Sequence, residues 1–155
     1  MYLKRDIEKT ILDAETSFQA IVIYGARQVG KSTTVDALFG NRFVSVTLDD
    51  ANERELALTN PKGFLEVHPW PLIVDEVQKA PNLLSEIKIA IDEQRKTWLK
   101  SNQPRQLMYV LTGSNQFELQ AGISESLAGR SAVFNMSSLT QIEAAGLSGS
   151  PFIPD

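Results

Sequence analysis

Apolar residues recur along this chain in two rhythms, and their alternation sets the expected architecture. Residues 20–24 (Ala-Ile-Val-Ile-Tyr) and 72–74 (Leu-Ile-Val) are short unbroken apolar runs, the pattern of strands covered on both faces. Residues 106–112 read as another central strand, 42–48 alternate as a strand should, and 131–136 are the last strand candidate. Between them the spacing turns helical. Leu3, Ile7, Ile11 and Leu12 share one face of an N-terminal helix, with Lys4, Arg5, Glu8 and Lys9 elsewhere. Val35, Leu38 and Phe39 follow the first strand at helical spacing, up to Gly40. Asp50 reads as the cap of a helix over 52–58 that ends at Asn60-Pro61, with one more helical turn at 62–66. Pro81 and Asn82 open a long helix whose core face is Leu84, Ile87 and Ile91. Helical stretches at 116–119, at 123–128 closed by Gly129, and at 139–145 complete the set. Strands alternating with helices predict an α/β fold on a mainly parallel sheet.

Composition fits this picture and narrows the chemistry. A chain of 155 residues, 43% hydrophobic and 22% charged, has the size and balance of one globular domain. We expect the domain over residues 1–146 and a Gly-, Ser- and Pro-rich terminal linker over 147–155. A net charge of −4 argues against broad electrostatic coating of nucleic acid. The chain has no cysteine and one histidine, His68, which excludes thiolate catalysis and Cys-based metal sites and makes a Ser-His-Asp triad a poor candidate. No apolar run is long enough for a membrane span and the mixed-charge N-terminus has no signal-peptide core, so a cytoplasmic protein is expected.

Residues 25–32, Gly-Ala-Arg-Gln-Val-Gly-Lys-Ser, fit the phosphate-binding pattern G-x-x-x-x-G-K-[ST] at every fixed position, between a strand and a helix as the motif requires. The glycines let backbone wrap around phosphate without a Cβ in the way. The loop N–H groups and the new helix N-terminus face the anion. Lys31 would reach the β and γ phosphates, and Ser32 would offer its hydroxyl to Mg²⁺. A second stretch completes the constellation: the 72–74 run stops on Asp75-Glu76. Successive strand side chains point oppositely, so the two acids can do different work. Asp75 suits Mg²⁺, and Glu76 suits orientation of an attacking water as general base.

Other polar groups leave alternatives open. Asp49 and Asp50 can face Mg²⁺ through water or a partner's arginine, although a helix cap explains Asp50 more simply. Ser114 or Asn115, at the end of the 106–112 strand, can bond the γ-phosphate or the water, or cap the next helix. Arg130 is a surface cation, a phosphate clamp or a finger reaching a neighbouring subunit. The Arg95, Lys96, Trp98, Lys100, Arg105 cluster reads as a solvated helix end rather than a nucleic-acid contact.

In order, Gly25-Ala-Arg-Gln-Val-Gly-Lys-Ser-Thr33, Leu48-Asp-Asp50, Leu72-Ile-Val-Asp-Glu-Val-Gln-Lys-Ala-Pro81, Leu111-Thr-Gly-Ser114 and Glu125-Ser-Leu-Ala-Gly-Arg130 resemble one family. It is the bacterial and archaeal AAA-type ATPases that usually carry a C-terminal domain of unknown function. The resemblance runs over nearly the whole chain. It implies a three-layer phosphate-loop fold with the strand order 5-1-4-3-2, so that the Ser114 strand lies between the phosphate-loop strand and the Asp75 strand. It implies ATP and Mg²⁺ as ligands, with Gly25, Ala26, Arg27, Gln28, Val29, Gly30, Lys31, Ser32 and Thr33 around the phosphates. Ser32 and Asp75 would hold Mg²⁺, Glu76 would be the base, Ser114 the polar sensor and Arg130 a finger or sensor. Family members continue into winged-helix-like and restriction-nuclease-like portions, so DNA contact is expected only through that absent part, and self-association is expected of the ATPase domain. No Asn-Lys-x-Asp guanine-reading motif occurs, and no acceptor site or lid of a small-molecule kinase is evident. ATP hydrolysis is the leading reading; an ATP-driven conformational switch or assembly module with little turnover is the alternative.

Overall fold

The computed structural model describes residues 7–26, 30–114 and 116–136. Among them, β1 (Ala20–Tyr24), β2 (Val44–Thr47), β3 (Leu72–Asp75), β4 (Tyr109–Gly113) and β5 (Ser131–Asn135) form one sheet. All four neighbouring pairs are parallel, in the order β2-β3-β4-β1-β5, which is β5-β1-β4-β3-β2 from the opposite edge. β4 therefore lies between β1 and β3, as the resemblance implies. The helices are α1 (Glu8–Ala14), α2 (Lys31–Phe39), α3 (Ala51–Thr59), α4 (Pro61–Val67), α5 (Leu83–Lys100) and α6 (Gln116–Ser126).

The central strands are buried because helices cover both faces. On one face Ala20, Val22, Leu72, Val74, Tyr109 and Leu111 pack with Phe64, Ile87 and Leu119 from the helices. On the other, Ile21, Ile23, Ile73 and Val110 pack with Ile11 of α1 and Val35 and Phe39 of α2. All five residues of β1 are buried. Burying each large aliphatic side chain contributes about 1.5–3 kcal/mol, so this strand anchors the molecule more firmly than any single polar contact. Three layers result, and parallel strands place every strand's C-terminal end on one edge, where β1, β3 and β4 run into loops.

Local chemistry fixes the helix starts. Gly30 takes the left-handed conformation (φ 89°) immediately before Lys31, a turn that a Cβ would strain. The Asp50 carboxylate accepts bonds from the Asn52 and Glu53 N–H groups, the capping role expected of it. Asn60 caps α4 through Gly63 N–H, with Pro61 in the first turn, where its missing N–H costs nothing.

Several expectations need correction. α6 is one helix rather than two short ones. A Cβ on its Gly122 would lie 2.5 Å from Leu84 Cδ1, so this glycine serves close approach of α5 and α6 instead of breaking the chain. In α1 the buried face carries Glu8 and Ile11, while Leu12 is 39% exposed. Trp98 is buried edge-on against Trp70, with ring centroids 5.9 Å apart, so it gives nucleic acid no stacking surface. The stretch 139–145, the linker and Asn115 lie outside the described residues.

Candidate nucleotide site

The chain leaves β1 at Tyr24 and turns at once into the glycine loop. The Gly25 N–H donates to the Gly113 carbonyl at 3.2 Å, which ties the loop's start to the end of β4. Lys31 is buried (6% exposed), and its Nζ donates to the Gly25 and Ala26 carbonyls at 2.9 Å each. The ammonium thus lies folded within its own loop, against acceptors it can exchange for phosphate oxygens. Thr33 follows in the first turn of α2, exposed. Arg27, Gln28 and Val29 lie outside the described residues.

Asp75 ends β3, and hydroxyls from three other elements converge on it. Ser32 Oγ, in the first turn of α2, donates to Oδ1 at 3.2 Å. Thr47, opposite Asp75 in the β2–β3 register, donates to Oδ2 at 3.1 Å. Thr112, one step beyond the Val74–Leu111 pair, makes a short bond to Oδ1. A cleft of about 170 Å³ opens beside them, lined by Ser32, Asp36, Ser45, Thr47, Asp75 and Thr112 among others. A carboxylate ringed by hydroxyl oxygens is a hard-oxygen donor set, which suits Mg²⁺ and its water shell.

Glu76 parts from Asp75 by a backbone device that the strand pleat alone does not supply. Its φ is 58°, in the left-handed region, and it begins the 3₁₀ turn Val77–Lys79. The Glu76 N–H donates to Thr112 Oγ1 at 3.3 Å, so one threonine hydroxyl touches both acids. A non-glycine residue held there stores about 1–3 kcal/mol of strain, a cost that gathers at functional sites. The residue is buried, and its Oε2 accepts from Ser114 Oγ at 2.9 Å and Gln78 Nε2 at 2.6 Å. Lys31, Ser32, Asp75, Glu76 and Ser114 thus meet on one edge of the sheet. Asp49 lies just beyond β2 and pairs with Lys79.

Arg130 is not with them. It immediately precedes β5, and its carbonyl accepts from the Gln19 and Ala20 N–H groups, which places it at the amino ends of the strands. Its guanidinium grips Asp92 of α5 through Nε (2.7 Å) and Nη2 (2.9 Å). The Arg130 hydrogen bond holds the Asp92 carboxyl below its ordinary pKa, and the same bond raises that of Arg130. Arg95, from the cluster weighed for nucleic acid, donates from Nε to Gln19 Oε1 at 2.7 Å. Burial pushes its pKa down, with the charges of Arg105 and Arg130 adding to the effect.

Thr47, Thr112 and Gln78 were not singled out from the sequence. The first two are findable once strand register is known, because both sit level with Asp75 on flanking strands.

Among known proteins, the AAA domain family matches residues 17–145. Two relatives are each 28% identical over 138 residues: "Uncharacterized protein Mb2031c" of Mycobacterium bovis and "Uncharacterized protein Rv2008c" of Mycobacterium tuberculosis. The match covers 88% of this chain, which spans 29% of the length of each relative. Among the described residues no helix is long and apolar enough to cross a membrane.

Proposed function

The chain belongs to the AAA domain family, and on that premise we propose that it binds MgATP and hydrolyses it to ADP and phosphate. The observation that carries this reading is the division of labour between adjacent acids. Asp75 collects hydroxyl oxygens beside the phosphate loop, and Glu76 turns away to a separate pair of donors. Phosphoryl transfer needs those two functions apart, one at the metal and one at the attacking water.

Each residue then has a role. Lys31 exchanges the loop carbonyls for β- and γ-phosphate oxygens, and the N-terminus of α2 adds its N–H groups. Ser32 and Asp75 hold Mg²⁺, which when bound neutralises charge developing on the phosphates. Glu76 takes the proton of the water as it attacks the γ-phosphorus, and the bond to the ADP oxygen breaks. Ser114 bonds the γ-phosphate. Arg130, at the far end of the sheet from Lys31, acts in trans if copies of the domain associate, reaching a neighbour's phosphates once Asp92 releases it.

A second reading, an ATP-driven switch with little turnover, is favoured by one fact: Glu76 Oε2 already holds two donors. Phosphate release from MgATP over a range of protein concentrations, with Glu76→Gln alongside, decides between them. Hydrolysis lost in Glu76→Gln with binding retained supports the base. Binding without turnover in the parent supports the switch, and equal turnover in both proteins removes Glu76 from the chemistry.

A further inference from the structure

Gln78 has no part in the reaction just described, yet its amide is the hub of the Glu76 side. One contact of Nε2 is Glu76 Oε2 at 2.6 Å, and the other is Ser114 Oγ at 3.2 Å. Ser114 in turn donates to the same Oε2 at 2.9 Å, which closes a ring of three bonds. A carboxylate only accepts, so the amide nitrogen and not its oxygen must face Glu76. The oxygen, Oε1, is thereby turned inward, where it is buried with no hydrogen-bond partner among the described residues. Leaving a buried acceptor unpaired is costly and marks a side chain held for what its other end does. Gly113 makes the seat for it. A Cβ there would lie 2.9 Å from Gln78 Oε1 and 2.5 Å from Leu119 Cδ2.

The ring contains one proton free to change partner. A serine hydroxyl carries a single hydrogen, so Ser114 can give it to Glu76 or to a phosphate oxygen, never to both. When it turns to phosphate, Glu76 Oε2, on a residue only 8% exposed, loses one of its two donors. Losing both would leave that oxygen, on a buried residue, without a donor. The remaining donor is Gln78, which can keep its bond to Ser114 Oγ throughout, because that bond uses a lone pair and not the hydroxyl proton.

We propose that Gln78 is the positioning residue that holds Glu76 in place while the Ser114 hydroxyl turns from the carboxylate to the terminal phosphate of ATP. It makes recognition of the third phosphate and placement of the base a single event. The inference rests on the reading of Ser114 as γ-phosphate sensor and Glu76 as base.

The test measures binding of ADP and of β,γ-imido ATP, each with Mg²⁺, by calorimetry. The proteins are the parent, Gln78→Met (similar length, no donor), Ser114→Ala and the double variant. Unchanged ADP affinity shows that each variant is folded. In Gln78→Met the preference for the triphosphate over ADP should fall by roughly ten- to a hundredfold, the worth of one hydrogen bond to a charged group. The double variant should lose little more than either single one, since both act on one ring. In the parent background, kcat at saturating MgATP should fall in Gln78→Met while ADP binding holds. An unchanged or increased triphosphate preference in Gln78→Met overturns the proposal. If Ser114→Ala shifts the preference and Gln78→Met does not, the role of Gln78 alone fails. If Ser114→Ala changes nothing, the sensor reading fails and this inference goes with it.

Discussion

At the carboxyl ends of the strands, hydroxyls gather on carboxylates; at the amino ends, arginines are fastened to acceptors. Asp75 holds Ser32, Thr47 and Thr112, and Glu76 holds Ser114 and Gln78. Each of these hydroxyls can re-aim its single proton, and each oxygen can also ligate a hard cation. Arg130 on Asp92 and Arg95 on Gln19 and the Gly129 carbonyl are forked contacts of fixed geometry, beside the edge-on Trp70–Trp98 pair. One edge of the sheet is built to trade partners and the other to keep them. The same parallel topology produces both, because it sends every strand's C-terminal loop to one side and every entrance to the other.

The comparison breaks most visibly at Lys31. Its ammonium is buried and satisfied by the Gly25 and Ala26 carbonyls, so the fold does not need phosphate to hold it. Lys31→Ala should therefore leave the melting temperature within a few degrees of the parent. It should weaken MgATP binding by roughly ten- to a hundredfold, the scale of one charge-assisted bond. Calorimetric titration and a thermal melt on the same sample check both. A large loss of stability with unchanged affinity would put Lys31 among the residues that keep their partners.

Thr112→Val sharpens the same edge. The hydroxyl donates to Asp75 and accepts from the Glu76 N–H, and the side chain is nearly fully buried. Valine keeps the shape and deletes both bonds, so we expect a cost of about 1–3 kcal/mol in denaturant unfolding. Mg²⁺-dependent nucleotide binding should weaken too, since Asp75 loses a neighbour that fixes its oxygens. Stability and Mg²⁺ dependence both unchanged would show that the two acids are held by backbone alone.

Much of this edge was legible beforehand. Gly25, Gly30, Lys31 and Ser32 stand at the fixed spacing of the phosphate-binding pattern, and Asp75-Glu76 follow an apolar run because a buried strand delivers them. The central strands were legible as well, since continuous burial leaves continuous apolar sequence. Thr47 and Thr112 were hidden because their importance lies in register with Asp75, a property of three separated segments. Gln78 was hidden because the left-handed turn at Glu76 brings it back over its neighbour, and nothing in the residue type of a glutamate announces such a turn. Glu8 and Leu12 show the limit of helical periodicity: a short helix packed on one side chooses its face by what it meets. The position of Arg130 needed the parallel sheet, which puts the residue before β5 at the end away from the phosphate loop.

Arg130→Ala and Asp92→Ala probe the edge that keeps its partners. The pair is partly solvent-exposed, with side chains 21% and 36% accessible. Each substitution should cost at most about 1 kcal/mol of stability. MgATP affinity should not change in either variant. If Arg130 serves a neighbouring copy, Arg130→Ala should lose turnover only at protein concentrations where the parent's activity rises with association, while Asp92→Ala, which frees the arginine, should not. Equal activity of Arg130→Ala and the parent at every concentration would confine the arginine to the fold.

The smallest effect expected is at Tyr109, the first residue of β4, at the amino ends of the strands. Burial pushes its hydroxyl pKa from 10.0 up to about 12. The unfolded chain therefore loses this proton at lower pH than the folded one. Between those values the folded state binds more protons, and stability falls as pH rises. The contribution is present in full below pH 10 and is lost progressively as pH climbs through about 12. The comparison that isolates the effect is with Tyr109→Phe. That variant keeps the ring in the core and removes the ionisation, and its stability should decline less steeply above pH 10, by roughly 1–2 kcal/mol in urea melts. Parallel decline of the two proteins would mean that the tyrosine hydroxyl reaches water before it ionises, and that this edge of the sheet opens more readily than its forked arginines suggest.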